Sequence, residues 1–398
     1  MNIEIKNNVL AHMSALLKDN MESLQQANAL DLAGADQSDL TIYDRLKIDN
    51  KKMDGMIQSL KDTIDQPDPV GQEKYHYHHP QGMEIYNRTA PFGTILIIYE
   101  SRPDVTLEAA ALAFKAGNKI LLKGGKEARN SNIVLVDLWR QALMLFGIDQ
   151  NYIQYLDYSR EQTMDLLQSS NKHIDLVVPR GGDQLIAMVK KYSSAPVLVS
   201  GRGNNFIYIH AKADLVKAIE IILNSKLHKI SVCNAADKIL IDRGLPNREE
   251  FTEQIITALH SSGVEIMGDQ TLARQKEVLN IEIIRDEAVW YEEFLAKKIL
   301  FAEIDGLEQA INKINQYSGH HTAVIVTEDD QAASRFMEDV DAASVIHNAS
   351  SRYTDGGQFG LGAELAISTD KLHHRGPLGL NQLVTNKWYV YGNGQVRG

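Results

Sequence analysis

The chain holds a single cysteine, Cys233, in the run Ser231-Val232-Cys233-Asn234-Ala235-Ala236. By residue type alone a lone cysteine is a small buried hydrophobe. Its neighbours suggest more. Lys226, His228 and Lys229 lie just upstream, and the residues after Cys233 read as a helix start. Positive neighbours and a helix N-terminus both favour a thiolate, the form that attacks acyl and carbonyl carbons.

Three glycine-rich stretches have the composition of anion cradles. Lys123-Gly124-Gly125-Lys126-Glu127 follows an apolar strand, so its lysines sit where a strand end meets a loop. Pro179-Arg180-Gly181-Gly182-Asp183 follows another and opens a helix, offering free backbone N–H groups. Gly201-Arg202-Gly203 lacks the third glycine and the strand–helix setting of a dinucleotide fingerprint. Each alone reads as a turn; two strand-end loops in one α/β domain favour a nucleotide. The histidines (His76, His78, His79, His320, His321, His373, His374) come without a second cysteine or an HExxH motif. Adjacent ones point to opposite strand faces, so no metal site is expected. A glycine- and serine-rich segment, Asn348 to Glu364, carries Arg352 and Asp355 and is poor core material. Loops longer than about 12 residues are usually functional. His374-Arg375-Gly376-Pro377 adds a further cation on a turn.

The elements that must position these residues follow from apolar periodicity. Ile5, Val9, Leu10, Met13, Leu16 and Leu17 mark an opening helix, and a second helical stretch runs from about Leu40 to Leu60 before the break at Pro67 and Pro69. Strands are expected at Thr94–Tyr99, Ile120–Leu122, near Ile153, at 174–178, 238–241, 281–284, 299–302 and 323–326, with helices between them. Short apolar strands alternating with helices indicate parallel βαβ units. The segment 74–86 alternates, and Trp388-Tyr389-Val390-Tyr391 reads as an exposed strand. Two interleaved α/β domains are expected, with a boundary near residues 210–215.

Length and composition bound the function. The 398 residues, 44% apolar and 23% charged, suit two or three domains of about 150 residues. A net charge of −11 without a basic run disfavours nucleic acid. The longest apolar stretch is far short of the ~20 residues that span a bilayer. The N-terminus lacks a basic, apolar leader, so a cytoplasmic protein is expected.

Taken together, the residues resemble the γ-glutamyl phosphate reductase (glutamate-5-semialdehyde dehydrogenase) branch of the aldehyde dehydrogenase superfamily, over nearly the whole chain. Tyr43-Asp44-Arg45-Leu46 and Asp68-Pro69-Val70-Gly71 resemble its N-terminal helical region. Tyr99-Glu100-Ser101-Arg102-Pro103-Asp104 and Lys123-Gly124-Gly125-Lys126 resemble its cofactor half, and Cys233-Asn234-Ala235 its nucleophile motif. Tyr353-Thr354-Asp355-Gly356-Gly357 and His374-Arg375-Gly376-Pro377-Leu378-Gly379-Leu380 are its most distinctive runs. Gly203-Asn204-Asn205-Phe206 and Lys226-Leu227-His228-Lys229 depart from the pattern.

The resemblance implies two interleaved three-layer α/β domains with parallel-type sheets and a small strand-based oligomerisation flap. Residues 1–210 would bind nucleotide, with flap strands near 74–88 and part of 355–385 returning to them. Residues 211–354 would form the catalytic domain, and 385–398 a C-terminal oligomerisation strand. It implies NADPH-dependent reduction of L-glutamyl 5-phosphate to L-glutamate 5-semialdehyde, the second step of proline biosynthesis, through a thioester. Cys233 and Asn234 would be catalytic, the Cys233 N–H serving the oxyanion. Lys123, Gly124, Gly125, Lys126, Arg180, Gly181, Gly182 and Glu293 would hold NADP. Arg102, Arg202, Arg352, Asp355 and Arg375 would hold the substrate. A homo-oligomer is implied, with glutamate 5-kinase as a candidate partner handing over the labile acyl phosphate. Two alternatives stand beside this reading: a hydrolytic semialdehyde dehydrogenase, and a non-catalytic nucleotide-binding protein. The hydrolytic branch activates water with a glutamate; Ser200 stands in its place, and 196–213 contains no Asp or Glu.

Overall fold

The structure, a computed structural model, describes residues 1–36, 40–169, 173–269, 272 and 281–397. Contacts divide the chain into two units: Met1–Ser200 with Gly360–Ala366 and Leu378–Gly398, and Gly201–Phe359 with Ile367–Pro377.

The first unit opens with α1 (Ile3–Asp19), α2 (Met21–Gly34), α3 (Leu40–Leu46) and α4 (Asn50–Asp65). The helical stretch expected over 40–60 is thus two helices. Asp49 starts the second by accepting the Lys52 N–H at 2.9 Å, a side-chain cap that competes with helix continuation. A hairpin, β1 (Glu73–His78) and β2 (Glu84–Pro91), precedes the alternating run β3 (Thr94–Tyr99), α5 (Pro103–Lys115), β4 (Lys119–Lys123), α6 (Arg129–Leu145), β5 (Ile153–Tyr155), α7 (Arg160–Gln168), β6 (Leu176–Arg180) and α8 (Asp183–Tyr192). Strands β5-β4-β3-β6 form a parallel sheet. Period-two geometry divides β3 between its faces: Ile95, Ile97 and Tyr99 join the core under α1, α5 and α6, and Leu96 and Ile98 the core on the opposite face. The α6 N-terminus is fixed by Asp31, which accepts the Asn130 and Ser131 N–H groups at 2.9 and 2.8 Å. An anion at a helix N-terminus also complements the dipole.

The second unit is built from β7 (Asn205–Ile209), α9 (Leu215–Leu227), β8 (Ala236–Asp242), α10 (Arg248–Ser261), β9 (Glu265–Gly268), β10 (Glu282–Ile283), β11 (Lys298–Ile304), α11 (Gly306–Tyr317), β12 (Thr322–Val326), α12 (Asp330–Asp339) and β13 (Ser344–His347). Its parallel sheet runs β10-β9-β11-β8-β7-β12-β13. Again one strand feeds two cores, Ile207 and Ile209 on one face and Phe206 and Tyr208 on the other. Because β7 is an inner strand of this sheet, the division falls at Ser200/Gly201, ahead of the boundary expected near 210. The short pair β14 (Ile367–Ser368) and β15 (Gly376–Pro377) also belongs here.

The last strand, β16 (Val384–Tyr391), returns to the first unit and pairs antiparallel with β2, giving the sheet β1-β2-β16. Every residue of β1 is exposed. No helix among the described residues is long and apolar enough to cross a membrane.

Candidate active site

Cys233 lies in a turn between the end of α9 and the start of β8. The expected helix start after it is a strand: Ala236 onward pairs in parallel with β7 and β11. A helix-start N–H for the oxyanion is therefore absent at this turn. Lys226 does not serve the thiol either. It is fully buried and donates to Asp237 Oδ1 at 3.1 Å.

What braces the turn is a set of polar side chains. Asn205 Nδ2 donates to the carbonyls of Cys233 and Ala235, both at 2.7 Å, while its Oδ1 accepts the Thr322 N–H at 3.0 Å. A Cβ on Gly203 would fall 1.8 Å from the Cys233 carbonyl oxygen, so only glycine permits this approach. From the other side Ser351 Oγ donates to the Asn234 carbonyl at 2.6 Å, and Asn234 Nδ2 donates to the Thr354 carbonyl at 2.9 Å. Ser225 Oγ in α9 accepts the Ser351 N–H at 3.1 Å. These bonds bring residues 350–354 against the cysteine turn. Arg352 thereby comes within electrostatic range of Cys233. Burial pulls its guanidinium below the ordinary value, while the charges of Asp355 and Cys233 oppose that shift.

Arg352, Tyr353, Asp355 and Gln358 line a cavity of about 240 Å³ with Asn224 and His228 of the α9 end. Arg352 Nε donates to His228 Nδ1 at 3.4 Å.

The first unit holds a larger cavity, about 410 Å³, at the C-terminal ends of its parallel strands. Ile98, Tyr99 and Glu100 close β3 on it, Lys123 through Lys126 form one wall, and Tyr158, Leu185 and Met188 supply apolar surface. Ligands of open α/β sheets bind in this place, where strand order reverses. Gly124 is required by packing, since a Cβ would meet the buried Asn132 Nδ2 at 2.3 Å. Lys123 Nζ donates to the Gly124 carbonyl at 2.7 Å, and burial lowers its ammonium from the usual range.

The aldehyde dehydrogenase family model matches residues 1–273. A γ-glutamyl phosphate reductase of Persephonella marina is 39% identical over 404 residues, covering 99% of this chain and 90% of that protein. The crystal structure of γ-glutamyl phosphate reductase from Thermotoga maritima matches with a TM-score of 0.93 and 36% identity, over 100% of this chain and 95% of that one. The chain belongs to the γ-glutamyl phosphate reductase family. An engineered glycolyl-CoA reductase with bound NADP+ shares the fold alone, with a TM-score of 0.69 and 16% identity over 98% of this chain and 92% of that one.

The remaining residues singled out by sequence are spread over both units of the chain. Arg180, Gly181 and Gly182 end β6 and open α8 as expected, but the Gly182 N–H donates to Glu100 Oε1 at 3.2 Å and is not a free donor. A Cβ on Gly181 would also strike that carboxylate, so its glycine serves close packing. Arg102 is the exposed residue before α5 in the first unit. Glu293 lies in a loop of the second unit, not on a helix. Arg202 is exposed, its backbone carbonyl packed against Gly319. Arg375 Nη1 donates to Asp341 Oδ1 at 2.5 Å, a carboxylate that Lys371 Nζ also reaches at 3.0 Å. The braces Gly203, Asn205 and Ser351 were missed. Two amides opening an apolar strand were the available signal, because buried amides must be bonded.

Proposed function

We propose that the Cys233 turn and the strand-end cavity together perform the NADPH-dependent reduction of L-glutamyl 5-phosphate to L-glutamate 5-semialdehyde, the family's step in proline biosynthesis from glutamate. The observation that carries the reading is the sole thiol of the chain, fixed by Asn205 and Gly203 next to Arg352.

The thiolate attacks the acyl carbon, a C–S bond forms, and the C–O bond to phosphate breaks with its electron pair leaving on phosphate. A cation beside the sulfur favours the attacking form. Hydride donation to the thioester carbon is the chemistry that a reduced nicotinamide supplies when bound. The tetrahedral oxyanion on Cys233 then re-forms its carbonyl and expels the thiolate, releasing the aldehyde. Asn205 acts throughout by holding the Cys233 carbonyl, which keeps the sulfur from drifting with its turn.

The first-unit cavity fits a dinucleotide by its chemistry: apolar walls from Leu185, Met188 and Tyr158, and the ammonium groups of Lys123 and Lys126 on one side. Two cations there suit a 2′-phosphate and support NADPH as the cofactor. Lys123→Ala is expected to raise the KM for NADPH about tenfold, the size of one charge-assisted hydrogen bond, and the KM for the acyl phosphate much less. Steady-state titration of each substrate checks this, and an unmoved NADPH dependence removes Lys123 from the site. On β16, Trp388, Val390 and Tyr391 are each more than half exposed, which supports a second copy of the chain packing on the β1-β2-β16 sheet. A labile acyl phosphate supports glutamate 5-kinase as the partner that delivers it.

The deciding experiment runs the reaction backwards. Glutamate 5-semialdehyde with NADP should give sustained turnover only when phosphate is present, because residues 196–213 contain no carboxylate to activate water. Sustained release of free glutamate in phosphate-free buffer would make the enzyme hydrolytic.

A further inference from the structure

The 240 Å³ cavity of the second unit carries one cation and one anion on a wall that is otherwise largely polar. Arg352 donates from Nε to His228, and Nη1 and Nη2 make no hydrogen bond among the described residues. Asp355 Oδ1 accepts the N–H groups of Gly357 at 3.0 Å and Gln358 at 3.2 Å. This Asx turn fixes the carboxylate and leaves Oδ2 without a hydrogen bond among the described residues. Asn224 and Gln358 add neutral amides to the same wall.

A guanidinium with both terminal nitrogens open is a bidentate carboxylate or phosphate receptor. Asp355 decides between the two. A phosphate dianion beside a fixed carboxylate meets like charge with no second cation lining the cavity except His228. A zwitterion meets opposite charge at both ends. We infer that this cavity is the subsite for the substrate's α-amino-acid head group, with Arg352 binding the α-carboxylate and Asp355 the α-ammonium. The acyl carbon of a glutamyl group lies three carbon–carbon bonds from its α-carbon, and Arg352 is already within electrostatic range of Cys233. Binding the head group would therefore hold the acyl carbon at the thiol, so that remote contacts raise kcat as well as affinity. The assignment rests on the proposed thioester chemistry at Cys233 and names which end of the substrate each charge reads.

The test compares three aldehydes in the NADP- and phosphate-dependent oxidation. Glutamate 5-semialdehyde carries both head-group charges, 5-oxopentanoate lacks the amine, and butanal lacks both. In Asp355→Asn, which preserves the Asx turn, the kcat/KM ratio of semialdehyde to 5-oxopentanoate should fall about 10–100-fold. In Arg352→Gln, the ratio of 5-oxopentanoate to butanal should fall by a similar factor. Because each ratio is taken within one variant, a general loss of active protein does not imitate the result. Should Asp355→Asn fail to fold, Gln358→Leu should lower the first ratio in the same direction. Unchanged ratios in variants of an active enzyme overturn the head-group assignment and leave the thioester chemistry standing. A raised KM for phosphate in Arg352→Gln, with both ratios intact, overturns it in favour of a phosphate subsite. Wild-type protein inactive on all three aldehydes overturns the functional reading itself.

Discussion

Cys233→Ala is expected to lower turnover in both directions by at least about 10³-fold while leaving NADPH binding intact. The chain has no other thiol, so no second cysteine can take over the covalent step. The cavity proposed for the cofactor is lined by residues from Ile98 to Met188, all in the first unit, and a change at position 233 alters none of them. Fluorescence titration with NADPH should therefore give the wild-type dissociation constant. The single cysteine adds an independent readout: one equivalent of a thiol-alkylating reagent per chain should abolish activity, and saturating acyl phosphate should protect against it. A Cys233→Ala enzyme that kept more than roughly 5% of wild-type kcat would rule out a thioester at this residue, since losses on covalent nucleophiles are far larger.

Local patterns made the architecture legible. The run Ile95 to Tyr99 is apolar throughout because β3 is covered on both faces, and that reads as a buried parallel strand without any tertiary knowledge. The alternation near 74–86 and the aromatic C-terminus likewise mark strands with solvent on them, and β1, β2 and β16 are where those segments lie. Local pattern fails where a distant partner decides. Ala235-Ala236 after Cys233 has the composition of a helix start, yet pairing with β7 and β11 makes it a strand. Arg375 looks like a ligand cation on a glycine turn, and local pattern gives no sign of its ion pair with Asp341, 34 residues earlier. Gly201 and Gly203 resemble an anion loop, whereas a Cβ at either would strike Thr369 or the Cys233 backbone. Glycine spacing reports that something approaches closely and does not say whether it is a phosphate or the chain itself. The segment around Arg352 and Asp355 reads as functional from its length and polarity, and the structure sets its Ser351 and Thr354 against the cysteine turn, contacts that no local pattern announces.

Beside the cysteine turn, Asp237→Ala is expected to destabilise the fold by about 3–5 kcal/mol, the cost of leaving a buried charge without its partner. Lys226 and Lys238 are both fully buried. Lys226 Nζ bonds Asp237 Oδ1 at 3.1 Å, and Lys238 Nζ donates to the Glu292 carbonyl at 2.6 Å and sits 3.9 Å from the Phe294 ring centroid. Asp237 Oδ2 also accepts the Phe294 N–H at 3.2 Å, so its loss loosens the loop that carries Glu293. Burial outweighs the mutual attraction here: it raises Asp237 and lowers both lysines, Lys238 to about 8. The sign of the pH dependence follows. Unfolded lysine holds its proton up to about pH 10.4, so between about pH 8 and that value the unfolded chain binds more protons and this group's contribution to stability rises with pH. Without the carboxylate both lysines fall further, and the window opens at lower pH. The deficit of Asp237→Ala against wild type should therefore be largest near pH 7 and shrink by pH 9.5, as measured by urea unfolding at the two values. A deficit of equal size at both would mean that the cost is lost packing, and that the lysine charges do not feel Asp237 as the geometry requires.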